Sequence, residues 1–527
     1  MCPNYRGISI PNTLAKLYDK LLYERSMRWC NFDKCQAGGQ AGRGCIEQIL
    51  TLRLSIDCAI ELKSKMYVLF IDFSKGYDKV DRQKMIDVLK SMECGSVMLV
   101  AIIMVYKSTQ FILKSAVIIA SQGVRQGAST SMILFILYID KMVQLIKSVC
   151  NNDGFLENLH TLVLMDDTVI LSCSRELCMK KMTKVLTFFD EFGMEINVKK
   201  TSFFVINGDM HDRQPLVFGN LIIPYQNNYC YLGSFFTDDG KISSALKLHL
   251  KSKTSDINKF TIFCAVNASV PFYIKKKVFD SCLLSSLLYG CETWLTDNFK
   301  DVEPAYITMV KTLLGVRKST PTANCLIELG KNNIRTIIKN KRKSFLLKKL
   351  STYEDQEPLN IMMEISRKHN TKSYRMIMNS INDNDNSNIS PRDICLGKDE
   401  THTKFVTCRS IMNPNLSIHP VYLKGSLVPD YLRISFTRLR LTSHNLQSEK
   451  GRWSRTPPNR RVCSCDRISV QDEHHALLKC PRTLDIRRQY NNKHSLNLVT
   501  TVTELLENEN LLALCEFIHL CMKTFKS

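Results

Sequence analysis

The chain has 527 residues, of which 44% are hydrophobic and 23% are charged, a composition that is typical of globular proteins and excludes an intrinsically disordered chain. Lysine and arginine exceed aspartate and glutamate by 22, with a pI near 9.2. We therefore expect an anionic partner, with nucleic acid as the first candidate and an ordinary basic surface as the alternative. The longest apolar run, residues 97–106, is ten residues long, too short to span a bilayer.

Chain length and cysteine content set further expectations. At roughly 150 residues per domain, the length predicts about three domains. The first thirty residues carry charges at short intervals and lack an apolar segment, so they do not resemble a secretory signal. Twenty-one cysteines without such a signal indicate reduced, intracellular thiols, a few of which could bind metal, and argue against a disulfide scaffold.

The first informative element is a predicted buried strand at residues 66–71 that runs directly into Asp72. Its residues are apolar, aromatic or β-branched, as in strands covered on both faces. A helix is predicted next, because Met85, Val88 and Leu89 are spaced to share one helical face. An aspartate at a strand end is also common as a turn or cap residue, so Asp72 has two interpretations.

A second acidic element follows at Asp166 and Asp167, between the apolar segments 161–165 and 168–171. Two apolar strands around a two-residue turn predict a β-hairpin. Adjacent carboxylates between buried strands repel each other unless a cation lies beside them, and hard oxygen ligands suit Mg²⁺. By contrast, residues 238–240 are Asp-Asp-Gly after a threonine, which indicates a solvated turn.

Together these elements supply the groups needed for two-metal phosphoryl transfer. In that chemistry one ion activates an attacking 3′ oxygen, and the other holds a triphosphate and stabilises the leaving oxygen. Asp72 and Asp166 lie 94 residues apart in the chain, and this separation does not by itself bring them together. Ordinary turn residues are therefore the alternative interpretation at this point.

The positive charge lies mostly in the second half of the chain. Residues 1–240 contain 27 basic and 24 acidic residues, so the remaining 287 residues carry a net charge of +19. Residues 331–350 contain eight basic residues and no acid, and residues 433–467 contain nine basic residues and two acids. The first stretch predicts a helix with a basic face, either for nucleic acid or simply solvated. The polar segment 379–388 predicts a linker.

Near the C-terminus, Cys463, Cys465, His475 and Cys480 form a C-x-C-x9-H-x4-C pattern. Thiolates and an imidazole in this order suit tetrahedral Zn²⁺. His474 is a competing ligand. Because the chain has 21 cysteines, chance pairs are expected, and unliganded thiols are the alternative.

A series of short segments follows one another along the chain: NYRGI (4–8), QAG (36–38), GRGCIEQ (42–48), FIDFSKGYDKV (70–80), GVRQG (123–127) with YID (138–140), LMDD (164–167), GMEINVKKT (193–201), YLG (231–233) and YGCETW (289–294). In this order they resemble the fingers blocks, motifs A to E and the block after the thumb of the reverse transcriptases of non-LTR (LINE-type) retrotransposons. A single block of this kind is common by chance, whereas six in the family's order are specific.

The resemblance implies catalytic roles for individual residues. Asp72, Asp166 and Asp167 would be the carboxylates that hold two Mg²⁺ ions. Lys200 occupies the family's N-x-x-K-T position and would protonate or neutralise the pyrophosphate leaving group. Its neighbour Lys199 could substitute, and a solvated lysine is the alternative.

The resemblance also implies nucleotide and template contacts. Tyr77 stands where the family places the aromatic ring that blocks a nucleotide 2′-hydroxyl, with core packing as the alternative. Gln126 and Gly127 would lie along the template and the incoming base, where glycine allows close backbone approach. Arg6 is a candidate ligand for the triphosphate, because guanidinium binds phosphate in a bidentate fashion.

The fold implied is α+β: a right-hand polymerase with fingers, a palm with an antiparallel sheet and a helical thumb, plus a small C-terminal zinc-binding module. The expected boundaries are 1–240 for partial fingers and palm, 241–330 for the thumb, 331–390 for a basic helical connector and linker, and 391–527 for a basic, zinc-knuckle-like region. In that last region the metal pattern is similar to a C-terminal block of the family. A Pro-Asp pair ending at Asp430 hints at a nuclease motif, but it precedes the cysteines instead of following them.

The function implied is RNA-directed DNA polymerisation, in which dNTPs extend a DNA primer or target 3′ end on an RNA template, with no membrane association. The alternative is a catalytically inactive retrotransposon remnant that acts only as a nucleic-acid-binding protein. Only five residues precede Arg6, so we expect a chain truncated at the N-terminus that lacks an upstream endonuclease. The family implies an intracellular, nuclear site of action.

Overall fold

The computed structural model falls into two compact units. The first comprises Met1–Ala245, Glu292–Leu295 and Lys343–Asn382, and the second comprises Leu246–Cys291, Thr296–Arg342 and Asp383–Ser527. The residues that the structure describes are 9–107, 110–113, 116–149, 153–352, 357–382, 390–423, 425–494 and 500–525.

Ten strands are described, and all of them lie in the first unit. They are β1 (Met66–Ile71), β2 (Gln110–Leu113), β3 (Ala116–Ile119), β4 (Thr161–Leu164), β5 (Asp167–Ser172), β6 (Ser202–Ile206), β7 (Leu216–Phe218), β8 (Leu221–Ile223), β9 (Asn228–Tyr231) and β10 (Ser234–Thr237).

Helices are found in both units. From the N-terminus to residue 266 they are α1 (Thr13–Trp29), α2 (Cys45–Glu61), α3 (Gly76–Lys79), α4 (Arg82–Ser91), α5 (Ser96–Lys107), α6 (Ser129–Lys147), α7 (Arg175–Phe192) and α8 (Ile242–Val266). Further along they are α9 (Phe272–Val278), α10 (Ser285–Leu287), α11 (Val302–Leu314), α12 (Thr322–Leu329), α13 (Ile334–Leu350), α14 (Pro358–Lys368), α15 (Lys372–Asn382), α16 (Pro391–Leu396), α17 (Thr403–Thr407), α18 (Asp430–Arg440), α19 (Gln447–Trp453), α20 (Leu484–His494), α21 (Val502–Leu506) and α22 (Leu511–Lys523).

The central feature of the first unit is a four-stranded sheet in the order β4-β5-β1-β6, with every neighbouring pair antiparallel. The predicted strand at 66–71 is confirmed, and so is the predicted hairpin, but its turn is Met165–Asp166 and not Asp166–Asp167, because Asp167 is already the first residue of β5. In the register, Ile71 lies opposite Thr168, and Leu164 pairs with Asp167 to close a two-residue turn. The sheet therefore brings the end of β1 beside the turn between β4 and β5.

The two faces of this sheet are covered by different helices, because successive side chains on a strand point to opposite faces. Leu69 and Ile71 pack in one apolar cluster with residues of α6 and α7. Val68 and Phe70 pack in another with α2 and, through Met362, with α14. All six residues of β1 are buried, so the strand is a rigid support for the residue that follows it.

Helix α6 is long and apolar enough to cross a membrane by length and composition, but 72% of its most apolar window is buried inside the protein. Its side chains pack on the sheet. This burial is that of a core helix.

The predicted connector at 331–390 does not form one separate segment. Lys343–Asn382 belongs to the first unit, where the thiol of Cys58 lies 3.3 Å from the hydroxyl of Ser366. The reason is that the apolar stripe of α14 covers α2, which a charge count does not reveal. Most of the predicted linker, residues 383–389, lies outside the described residues, and the other expected boundaries stay predictions.

Within the described residues of the second unit, the regular secondary structure is helical, apart from an isolated bridge between Val462 and Val470. A buried ion-pair network stabilises it: Lys275 Nζ lies 2.6 Å from Asp430 Oδ2, and Arg433 Nε lies 2.8 Å from Asp430 Oδ1. All three side chains are at most 2% exposed. Asp430 is therefore part of a buried ion-pair network, and its surroundings do not support the nuclease motif that the Pro-Asp pair suggested.

Candidate active site

The end of β1 and the hairpin turn bring three carboxylates into one region, called here the carboxylate site (Asp72, Asp166 and Asp167). One step beyond the pair Ile71–Thr168, the register places Asp72 opposite Asp167. Directly opposed residues on antiparallel strands share a face of the sheet, with Cα atoms roughly 5 Å apart. Asp166 is the second residue of the turn that Asp167 closes.

The turn has a strained backbone that a neighbouring loop supports. Met165 has φ +60°, a conformation that non-glycine residues adopt rarely but hairpin turns require. Its N–H donates to Gln36 Oε1 at 2.9 Å, and the Gly38 N–H donates to the same oxygen at 2.8 Å. A Cβ on Gly38 would stand 2.5 Å from Met165 Sδ. The QAG block therefore positions the acidic turn, a role for Gln36 that sequence reasoning missed.

Asp72 is held by the segment that follows α7. Asn197 Nδ2 donates to Asp72 Oδ2 at 2.8 Å, and the Asn197 N–H donates to the Asp72 carbonyl at 2.8 Å. The Asp72 N–H donates to Thr201 Oγ1 at 3.2 Å. Lys200 Nζ lies 3.6 Å from Asp72 Oδ1 and is 63% exposed. Of the two candidate lysines, Lys200 is therefore the one that contacts the carboxylate site, while Asn197 is a contact that sequence reasoning missed.

The charges of the carboxylate site act on two neighbouring phenols. Burial, together with the charge of Asp166, raises the pKa of Tyr77 to about 12. Burial, with Asp72 and Asp167, raises the pKa of Tyr229 to about 12. Both phenols therefore stay protonated and neutral beside the carboxylates at physiological pH.

The donor set suits a hard divalent cation. Asp72 is 21% exposed, Asp166 is half-buried and Asp167 is exposed, so carboxylate oxygens face solvent that a substrate can replace. A small divalent cation that keeps water and phosphate oxygens as ligands needs such a site, with few protein carboxylates and open positions.

Tyr77 lies on α3 and stacks on Phe135, with ring centroids 4.4 Å apart and planes inclined by 23°. The preceding residue, Gly76, packs closely against the same ring, since a Cβ on Gly76 would lie 3.0 Å from Phe135 Cζ. The ring is thus fixed by core packing on one side while its hydroxyl is near Asp166. The two interpretations of Tyr77, packing and contact with a sugar, are compatible in this geometry.

The 123–127 loop packs against the α3 segment. Gln126 Nε2 donates to Asp78 Oδ1 at 3.2 Å. Gly123 has φ +81°, and a Cβ there would lie 2.9 Å from the Asp78 carbonyl oxygen. Gly127 is exposed with φ +103°, so its backbone is open to close approach. Arg6 lies outside the described residues, and its predicted role stays a prediction.

The second aspartate pair is a solvated turn, as predicted. Asp239 accepts hydrogen bonds from Thr237 Oγ1 at 2.5 Å, from the Lys241 N–H at 2.9 Å and from Ser244 Oγ at 2.7 Å. Asp238 accepts one from the Tyr225 hydroxyl. Local donors satisfy these carboxylates, which therefore make a turn and a helix cap.

In the second unit, four side chains form what is called here the four-ligand cluster (Cys463, Cys465, His475 and Cys480). Their ligand atoms all lie within 4.8 Å of one another. The two sulfurs of Cys463 and Cys480 are 3.8 Å apart, and Cys465 Sγ lies 3.3 Å from His475 Nε2. With metal–sulfur bonds of about 2.3 Å, a tetrahedral site has sulfur–sulfur edges of about 3.8 Å. His475, and not His474, belongs to this group.

Much of the predicted basic face of α13 is occupied. Arg342 is fully buried, with Nη2 donating to the Thr296 carbonyl at 3.0 Å. Arg335 pairs with Glu303, and Lys349 pairs with Glu47. Several of the charges in this stretch therefore serve packing within their own unit.

An antiparallel sheet with an aspartate at one strand end and an Asp-Asp turn on the next strand defines a polymerase-type palm. Comparison with known proteins gives the family. Residues 2–236 match the family described as reverse transcriptase (RNA-dependent DNA polymerase).

Two curated relatives are similar to this part of the chain. The Retrovirus-related Pol polyprotein from type-1 retrotransposable element R2 of Nasonia vitripennis is 24% identical over 262 residues, covering 46% of this chain and 25% of that protein. The corresponding polyprotein from type-2 retrotransposable element R2DM of Drosophila melanogaster is 22% identical over 253 residues, covering 45% and 24%. The chain thus spans about a quarter of the length of the relatives it matches.

Among solved structures, telomerase from Candida tropicalis in complex with a TWJ fragment of telomeric RNA is 14% identical with a TM-score of 0.32, covering 71% of this chain and 55% of that one. Telomerase from Candida albicans in complex with the same kind of fragment is 12% identical with a TM-score of 0.29, covering 66% and 57%. With these TM-scores, the structural similarity to telomerase is too low to indicate a function.

Residues 2–236 therefore match a reverse transcriptase domain, and this part of the chain is similar to the Pol polyproteins of R2 retrotransposable elements. The predicted resemblance to reverse transcriptases and the predicted mixed helix-and-sheet fold of reverse transcriptase type are confirmed.

Proposed function

We propose that this chain extends a DNA 3′ end with dNTPs on an RNA template. The observation that carries the proposal is the convergence of Asp72 with the Asp166–Asp167 turn in the reverse transcriptase domain. The relatives are Pol polyproteins of retrotransposable elements. An RNA template and a DNA primer as partners are part of the proposal, as is a nuclear site of action.

The carboxylate site would hold two Mg²⁺ ions, which when bound activate the 3′ oxygen and neutralise charge on the triphosphate. Asp72 is oriented for this by the Asn197 amide, which fixes one carboxylate oxygen. The Gln36 contact to Met165 holds the turn that carries Asp166 and leads into Asp167. These hydrogen bonds set the carboxylates in place before substrate binds, and such preorganisation lowers the cost of reaching the transition state.

Lys200 and Tyr77 would act on the nucleotide. The exposed ammonium of Lys200, 3.6 Å from Asp72, is able to neutralise or protonate the departing pyrophosphate. The ring of Tyr77, immobilised on Phe135, would exclude a 2′-hydroxyl by contact. Gln126 and Gly127 would lie along the template and the incoming base.

We further propose that the four-ligand cluster binds one Zn²⁺ and thereby folds the surrounding module. The sulfur–sulfur distance of 3.8 Å between Cys463 and Cys480 supports this proposal. Gln471 Nε2 donates to Cys463 Sγ at 3.3 Å, an outer contact of the kind that orients thiolate ligands. The basic stretch 433–461 beside it would contact nucleic-acid backbone.

A primer-extension assay with an RNA template, Mg²⁺ and dNTPs tests the polymerase proposal. Asp166→Asn should lower extension by about 10²- to 10³-fold, because it removes charge that the metals require. Asp238→Asn, the same change in the solvated turn, should leave extension unchanged. If the unaltered chain incorporates no dNTP, or Asp166→Asn has no effect, the proposal fails in favour of a protein that binds nucleic acid without polymerising.

A further inference from the structure

Trp453, the last residue of α19, is a large aromatic side chain left 49% exposed. The guanidinium carbon of Arg317 lies 4.0 Å from the centroid of its ring, so one face of the indole is covered by a cation. By comparison, Trp294 is only 2% exposed. About half of the surface of Trp453 is therefore open to solvent.

The guanidinium behind this ring is held in place. Arg317 Nη1 donates to the His444 carbonyl at 3.0 Å, Nη2 donates to the Asn445 side chain, and the Arg317 N–H donates to Ser443 Oγ at 3.1 Å. A fixed guanidinium polarises an aromatic ring without losing side-chain entropy when a ligand arrives. The pair is therefore preorganised.

The loop after Trp453 is also fixed, and one residue holds it. Arg461 Nε donates to the Thr456 carbonyl at 2.9 Å, and Arg461 Nη1 donates to the Ser448 carbonyl at 3.0 Å. The side chain runs across Gly451, where a Cβ would lie 2.6 Å from Arg461 Cδ. The chain between Trp453 and Arg461 thus lies against α19 in one arrangement.

This loop and the segment after it present cations. Arg455, Arg460 and Arg467 are exposed, and no described residue supplies a side-chain acceptor for them. Of the two acids in residues 433–467, Glu449 pairs with Lys404 and Arg452, whereas the exposed Asp466 accepts a hydrogen bond from Ser469 and keeps its charge next to Arg467 in the chain. Arg455 and Arg460 therefore make the loop after the indole positive.

We propose that Trp453, backed by Arg317, is a stacking platform for an unpaired base of single-stranded nucleic acid whose phosphates contact Arg455 and Arg460. A half-exposed indole beside cations provides the two elements that such binding uses, stacking on a ring and contacts to the backbone. Duplex bases have their faces covered, so the platform selects single strands. The inference rests on the proposed function only in taking nucleic acid as the partner.

Equilibrium binding by the full chain tests the platform, with fluorescein-labelled dT12, rU12 and a matched duplex followed by anisotropy. Trp453→Ala should weaken binding of both single strands by about 5- to 150-fold, the factor that matches the contribution of one stacked base. The slope of log affinity against log salt should be the same for Trp453→Ala as for the unaltered chain. Trp453→Phe should retain most of the affinity, and Tyr431→Ala, at a side chain 53% exposed in the same unit, should retain all of it.

Two further variants separate stacking from charge. Arg455→Gln should lower the slope of log affinity against log salt by about 0.7, the value for one phosphate contact on a single strand. Arg317→Lys keeps the positive charge but removes the planar guanidinium that lies over the Trp453 ring. This variant should bind more weakly, with the same slope of log affinity against log salt. It tests the pair even if Trp453→Ala does not fold.

Equal affinity of Trp453→Ala and the unaltered chain would overturn the platform, and so would equal binding of the duplex. The polymerase proposal is decided separately by primer extension with Asp166→Asn. Extension that persists while Trp453→Ala binds normally would remove the platform alone. Absence of extension with a clear Trp453 effect would remove the polymerase proposal alone.

Discussion

The carboxylate site of the first unit and the four-ligand cluster of the second differ in donor type, in exposure and in origin along the chain. The first combines oxygens from residues 72 and 166–167 and opens to solvent. The second draws its soft donors from residues 463–480, within 4.8 Å of one another and mostly buried. The three carboxylates form no comparably tight group among the described residues.

This difference follows from charge and bonding. Carboxylates without a cation repel one another, so an open oxygen site is held apart by its scaffold and completed by metal and substrate. A protonated thiol and an unprotonated imidazole carry no charge, so these groups approach closely and suit a closed structural site. The contrast predicts that one metal exchanges readily and the other is part of folding.

The largest effect is expected from Cys480→Ser. Removing this ligand should release a stoichiometric zinc and unfold the surrounding module, because structural zinc contributes about 10–16 kcal/mol in small zinc-binding peptides. Metal content and limited proteolysis measure both outcomes. Cys515→Ser, at a fully buried cysteine outside the cluster, should keep the zinc. Retained zinc in Cys480→Ser would show that the cluster is not a zinc site.

Metal removal should separate the two sites directly. Brief treatment with EDTA should stop primer extension, and added Mg²⁺ should restore it, since the carboxylate site is open to solvent. Zinc should remain bound through the same treatment, because three thiolates and one imidazole surround it and only Cys465 among them is not buried. If EDTA removed zinc at the same rate as it abolished primer extension, the two sites would not differ in metal exchange.

Tyr77→Ala should raise incorporation of ribonucleotides relative to deoxyribonucleotides by about 10-fold or more, since it opens the space that a 2′-hydroxyl would fill. Tyr77→Phe keeps the ring on Phe135 and should keep the discrimination. Single-nucleotide incorporation with paired dNTP and rNTP measures the ratio. If Tyr77→Ala left the ratio of ribonucleotide to deoxyribonucleotide incorporation unchanged, the role of Tyr77 would be limited to core packing.

The smallest effect is expected at the lysine pair. Lys200→Ala should lower the extension rate by about 10-fold, at the low end for proton transfer because the side chain is 63% exposed. Lys199→Ala should have no effect. Rapid-quench measurement of single-turnover extension compares the two, and equal rates would assign the leaving-group role to neither lysine.

Local sequence patterns predicted the parts of each site that lie close together in the chain. The buried run before Asp72 and the two apolar segments around Asp166 predict strands and a turn, because strand and turn preferences act over a few residues. The spacing of the four-ligand cluster is equally local. The order of the blocks predicted the similarity of residues 2–236 to reverse transcriptases.

The tertiary structure alone decided which distant residues meet. It joins Gln36 to the Met165 turn and Asn197 to Asp72, and it brings Arg317 onto Trp453 from 136 residues away. It also buries Arg342, which the charge count had placed on a solvent-facing basic helix. Periodicity and propensity describe neighbours along the chain, whereas these contacts depend on how sheet faces and helices pack, and that packing is not encoded in any single segment.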